Sequence, residues 1–76
     1  MNALTATDLS ELRLLAENAH REGWINTEAS LAAEYVGATV RVTATRGKNV
    51  VQKTYARDER WSYLLLRDLA WGTYRN

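Results

Sequence analysis

The sequence predicts a small α+β fold: a helix, a short helix or strand, a β-hairpin and a C-terminal helix, in a single domain over residues 1–76. Three observations predict it. Apolar residues between Leu9 and Ala19 recur at helical spacing, those from Thr39 to Arg57 alternate with a period of two about a glycine turn, and helical spacing returns between Asp58 and Tyr74.

The first helix opens at Asp8-Leu9-Ser10-Glu11, the form of a capping box, and ends at Gly23. At 100° per residue Leu9, Leu12, Leu15, Ala16 and Ala19 share one stripe, with Ser10, Arg13, Glu17, Asn18 and Arg21 outside it. Residues 28–36 follow. Thr27 as N-cap, an alanine-rich run and Gly37 as C′ residue favour a short helix, and an extended segment paired with the hairpin is the alternative.

From Thr39, Val40, Val42 and Ala44 point one way and Arg41, Thr43 and Thr45 the other, which suits a strand. Arg46-Gly47-Lys48 is the turn, and its length decides the register. A three-residue loop sets Arg41 opposite Lys53 and makes a positive face with Tyr55 and Arg57. A two-residue loop sets Val42 beside Lys53 and Ala44 beside Val51, and breaks that face up.

In the last helix Trp61, Leu64, Leu65, Leu69 and Trp71 form a broad stripe suited to the core. Tyr63, Leu66, Ala70 and Tyr74 form a second stripe on the opposite side. A helix that is apolar on two sides is sandwiched or lies at an interface. In a chain with so few elements this second stripe is the candidate partner-binding surface.

A 76-residue domain buries only about 60% of its unfolded surface, so a lone copy is marginal and a homodimer through the last helix is compatible with the pattern. There is no cysteine. That fits a reducing cytoplasm, and with no apolar run near the roughly 18 residues of a membrane span and no signal-like start, a soluble cytoplasmic protein is expected. Net charge is +1, but residues 1–37 carry −4 and residues 38–76 carry +5. The halves attract each other, and the polarity can also orient a charged partner.

Little points to catalysis. His20 is the only histidine, at the edge of the first helix's stripe, so no metal site or cofactor is expected. Ser10 lies about three turns away, too far for His20 to activate it. The four glycines stand singly and cradle no phosphate. Asp68 falls on the main apolar stripe between Leu64 and Trp71 and needs a partner or a raised pKa. A structural salt bridge to Arg41 or Arg13 is the simpler reading, against a general acid or base. The expectation is that the chain is not an enzyme.

Two functions remain. The first is a non-enzymatic binding protein that docks on a protein or nucleoprotein partner. Three Trp and four Tyr are types that dominate interface hot spots. Small chains without a catalytic set resemble in type the inhibitors and adaptors that phages and plasmids aim at host machinery, anti-CRISPR proteins among them, although no residue motif here matches a named family. The alternative is direct nucleic-acid binding through Arg41, Arg46, Lys48, Lys53 and Arg57, with Tyr55 stacking on a base or sugar. The order helix, strands, helix resembles a double-stranded RNA-binding domain. It departs where that family grips phosphate, because the last helix opens on Arg57-Asp58-Glu59-Arg60 and its acids repel phosphate. Thr27 to Gly37 is similar to the first helix of a helix-turn-helix, but Val40 to Thr45 alternates as a strand and makes a poor recognition helix.

Overall fold

The computed structural model describes residues 4–58 and 60–75. Five elements follow in order: α1 (Ala6–Glu22), β1 (Ser30–Val36), β2 (Thr39–Arg46), β3 (Asn49–Ala56) and α2 (Trp61–Ala70). The strands form one antiparallel sheet in the order β1-β2-β3. Both helices lie on the same face of it, α1 toward β1 and α2 toward β3.

Helix α1 starts three residues before the Asp8 capping box. Thr5 is the N-cap, its Oγ1 accepting the Asp8 N–H at 3.2 Å. Thr5 and Asp8 have the same N-cap-to-N3 spacing as Asp8 and Glu11. The earlier start wins because it brings Leu4 into the core. The helix ends at Gly23, where the Trp24 N–H reaches back to the Ala19 carbonyl at 2.9 Å, a Schellman-type closure. Leu12 and Ala19 are buried, Leu15 packs partly against the core, and Leu9 stays exposed at the end of the stripe.

Residues 30–36 are a strand, not the short helix their alanines suggest. Leu31, Ala33 and Tyr35 face the helices, while Ser30, Ala32 and Glu34 face away. Alanine hides this alternation because its own preference is helical, and here pairing with β2 overrides it. β2 is buried at Val40, Val42 and Ala44 and needs a ladder partner on both sides for its backbone polar groups. Thr27 caps no helix here. Asn26 turns the chain instead, its Oδ1 accepting the Glu28 N–H at 2.8 Å.

Both hairpins use two-residue loops, Gly37-Ala38 and Gly47-Lys48, because Val36 pairs with Thr39 and Arg46 with Asn49. Both glycines have φ of 59°, and no described non-glycine residue has positive φ. This is the type II′ pattern, whose twist matches that of paired strands. Gly37 is thus a hairpin residue rather than a helix terminator. The register sets Val42 beside Lys53 and Ala44 beside Val51.

Helix α2 is shorter than its wheel suggests. It stops at Ala70, and the Thr73 N–H closes a turn on the Asp68 carbonyl at 3.0 Å. Two expectations therefore reverse. Trp71, assigned to the core stripe, is 83% exposed, while Tyr74, assigned to the outer stripe, is 1% exposed. A helical wheel has no meaning beyond Ala70, and the turn carries Tyr74 back beneath the helix. Trp61, Leu65 and Leu69 hold the core as expected.

Candidate docking groove

Two of the hairpin's polar residues, Lys53 and Tyr55, turn toward the fold. Placing Lys53 opposite Val42 turns it toward the helix layer, where its Nζ donates to Asp68 Oδ2 at 3.1 Å. Asp68 is therefore held by a lysine and a tyrosine, not by Arg41 or Arg13. Tyr55 lies two residues on from Lys53, on the same face, and its hydroxyl donates to the same oxygen at 2.7 Å. That hydroxyl has one proton, already committed to the carboxylate, so in the 2.7 Å contact between the phenols Tyr74 donates to Tyr55. A chain Tyr74 to Tyr55 to Asp68 thus fastens the C-terminal turn to the sheet. Burial alone raises the Asp68 pKa, but the hydrogen bonds from Tyr55 and Lys53 prevail and hold it below the ordinary carboxylate value. Burial, first of all, drives the Tyr55 phenol far above its usual range and pushes Tyr74 up to about 12.

The remaining hairpin cations are scattered. Arg41 forms an ion pair with Glu34 across β1 and β2, on the sheet face away from the helices. The Arg57 guanidinium stacks 3.6 Å from the centre of the Tyr35 ring. Arg46 is partly buried beside the turn, and Lys48 is exposed at its tip. No continuous basic ribbon results. At the entry to α2 the Asp58 carboxylate accepts the Arg60 N–H at 2.8 Å; Glu59, its neighbour in the acidic pair, lies outside the described residues. His20 is structural: its Nε2 lies 3.0 Å from the Ala29 carbonyl, which can only accept, so Nε2 carries a proton in that contact. Among the described residues no three His, Cys, Asp or Glu side chains form a metal cluster, and no helix is long and apolar enough to cross a membrane.

The second stripe of α2 has a different fate. Tyr63, Leu66 and Ala70 face out over α1, and the two helices leave a trough between them. One part, of about 510 Å³, is lined by Glu11, Leu14, Leu15, Glu17, Asn18 and Arg21 of α1 with Ser62, Tyr63 and Leu66 of α2. An adjoining part of about 380 Å³ shares Asn18, Tyr63 and Leu66 and adds Trp24, Arg67, Ala70 and Trp71. Tyr63 is 67% exposed and Leu14 65%. With Trp71 they place three large apolar side chains on one outer face.

Of the expected outer stripe, Tyr63, Leu66 and Ala70 line the trough, and Leu14, Trp24 and Trp71 join them from outside it. Leu14 carried a signal, as a leucine that falls between Arg21 and Asn18 on the polar side of the α1 wheel. The lining residues run in the same order along both helices, 11 to 21 beside 62 to 71, so α1 and α2 lie side by side in the same direction. Glu11, Glu17 and Arg21 of α1 and Arg67 of α2 supply the charges along the trough.

Comparison with known proteins finds no matching family model, no matching curated relative and no matching solved structure.

Proposed function

We propose that this protein is a non-enzymatic binding module that docks on a protein surface through the trough between α1 and α2, in the manner of the small inhibitors and adaptors that occupy a target instead of transforming it. The observation that carries this reading is the exposure of Leu14, Tyr63 and Trp71 together along a concave strip. Isolated exposed apolar residues are ordinary on a soluble surface, whereas a contiguous aromatic strip rimmed by charge has the make-up of an interface. Aromatic side chains at the centre of such a strip provide most of the binding energy when a partner excludes water from them.

Nucleic-acid binding through Arg41, Arg46, Lys48, Lys53, Tyr55 and Arg57 receives less support. Tyr55 is buried, Lys53 is held by Asp68, and Arg41 is neutralised by Glu34. Phosphate contact by Arg41 or Lys53 would compete with these pairs, while Lys48 stands exposed at the turn.

Capture from the native host, with and without nuclease, tests the reading. Tyr63→Ala should keep the fold by circular dichroism and lose a nuclease-resistant partner, while Lys48→Glu should keep it. Capture that survives Tyr63→Ala, or that vanishes with nuclease, would remove the groove from the account.

A further inference from the structure

Strand β1 ends the sheet on one side, because the strands pair in the order β1-β2-β3. Its register fixes which backbone groups face outward. Val36 and Thr39 close a two-residue hairpin loop, so they form a hydrogen-bonded pair and the pattern alternates from there. Val36, Glu34, Ala32 and Ser30 turn their N–H and C=O groups to β2, and Tyr35, Ala33 and Leu31 turn theirs away from it. The Ala38 carbonyl, which accepts the Arg57 N–H at 2.9 Å on the other side of β2, has the phase this alternation requires. Among the described residues, no hydrogen bond outside the ladder reaches the backbone of Leu31, Ala33 or Tyr35.

An open edge is ordinarily blunted by a lysine or a bulge. β1 has neither: its seven residues pair with β2 one for one, from Ser30 with Thr45 to Val36 with Thr39. Its single charge, Glu34, is taken by Arg41 on the outer face. The opposite edge differs, since β3 carries Lys53 and its last carbonyl, that of Ala56, already accepts the Asp58 N–H at 2.9 Å.

Helix α1 forms a wall above this edge. His20 lies on the flank of α1 that meets β1, its Nε2 3.0 Å from the Ala29 carbonyl. Leu9 falls about 20° from His20 on the helical wheel and Ala16 about 40°, so both lie on that flank, away from the trough. Leu9 is 47% exposed. Below it Leu31, Ala33 and Tyr35 face the helix layer, the small Ala33 leaving a gap between two larger side chains. On the other face of the sheet a depression of about 280 Å³ is lined by Ala32, Glu34, Arg41 and Thr43, with Ala33 at its border.

The width of the sheet selects the occupant. Strands lie about 4.8 Å apart, so β1 and β3 are separated by about 10 Å, which is also the spacing of two packed helices. α1 therefore sits over β1 itself. A second copy joined edge to edge through β1 would bring its own α1 within about one strand spacing of the first, closer than two helices can pack. A lone extended segment brings no helix with it. Going beyond the trough between the helices, we propose that the β1 edge is a second docking site, which takes an extended peptide segment of a partner protein as a fourth strand, with large apolar side chains at alternate positions under α1 and polar ones over the outer face. Hydrogen bonds to Leu31, Ala33 and Tyr35 supply the attachment, and the alternation of side chains supplies the selectivity.

A phage-displayed library of heptapeptides, apolar at alternate positions, supplies the probe, with the full chain as target. The selected peptide, made synthetically, should slow amide exchange at Leu31, Ala33 and Tyr35 by roughly tenfold or more, while the already bonded amides of Ala32 and Glu34 change little. N-methylation of the peptide at one set of alternate residues should abolish binding, and at the other set should leave it within about threefold, because only one set donates to β1. Ala33→Pro should keep the fold, since the sheet makes no use of an outward N–H on an edge strand, and should weaken binding by roughly tenfold or more. The methylated peptides give their answer whether or not that variant folds.

A library that yields no binder overturns the proposal, as does a binder that leaves those amides unprotected or tolerates methylation of either set. Protection of the three amides in the chain alone overturns it too, and a dimer of the chain alone that Ala33→Pro dissolves would make a second copy the occupant. A binder lost with Tyr63→Ala but indifferent to Ala33→Pro sits in the trough, and overturns the edge site while sparing the docking function proposed above.

Discussion

At Asp68 a carboxylate sits among leucines because two donors converge on it, Lys53 and Tyr55 of β3, and the Tyr74 hydroxyl in turn donates to that of Tyr55. The Lys53 end is partly open to water, where an ion pair contributes little, so the buried Tyr55 bond is the stronger tie. Replacing Asp68 with alanine leaves the two buried phenols, 2.7 Å apart, with one proton between them lacking an acceptor, and should cost about 2 kcal/mol, measured by urea unfolding. Tyr74→Phe removes a donor but leaves the Tyr55 to Asp68 bond intact, and should cost nearer 1 kcal/mol. The pKa directions give a second test. The lowered Asp68 value means its contribution is present above the ordinary carboxylate value of 3.8 and is lost as pH falls through the folded-state value. The raised phenol values work the other way: their contribution is present below the ordinary value of 10.0 and is lost as pH rises through the folded-state values, Tyr74's at about 12 first. Tm should therefore fall at both extremes, with Asp68→Asn flattening the acid limb and a Tyr55→Phe, Tyr74→Phe double variant flattening the alkaline one. Acid and alkaline limbs unaffected by these changes would show that the network contributes nothing to stability.

Among the elements, legibility followed the strength of the local signal. α1, the β2–β3 hairpin and α2 could be read directly, because Leu12 to Ala19, Val40 to Ala44 and Trp61 to Leu69 hold their periods over several residues. β1 could not, because Ala32 and Ala33 favour a helix by local preference, and the pairing with β2 that overrides it is a tertiary effect. The identity of the turn at residues 26–29 makes this testable. Thr27→Ala should change stability by less than about 0.5 kcal/mol, since Thr27 caps nothing, while Asn26→Ala should cost about 1 kcal/mol for the lost side-chain bond to the Glu28 N–H. Equal effects would favour the helical reading. α2 was read correctly as two-sided but given too great a length, and that one error exchanged Trp71 with Tyr74. The hairpin register depended on a single loop residue, and with it whether Lys53 faced water or Asp68.

For the molecule as a whole, two layers cover only one face of each helix, and the outer faces of α1 and α2 meet in a trough that their own chain does not fill. The charge imbalance between the chain's halves is partly offset internally through Glu34 with Arg41, whereas the Asp68 to Lys53 pair lies wholly within the basic half. At the trough Glu11, Glu17, Arg21 and Arg67 border the apolar side chains, which is why the docking function is proposed there. Tyr63 and Trp71 can be followed individually in solution. A soluble paramagnetic probe should strongly relax the Tyr63 ring and the Trp71 indole N–H in dilute, single-copy samples, and should spare both once the protein is assembled with its occupant, while Lys48 at the hairpin tip remains exposed throughout. Protection of the hairpin tip with Tyr63 and Trp71 still open to the probe would contradict the assignment of the groove as the docking surface.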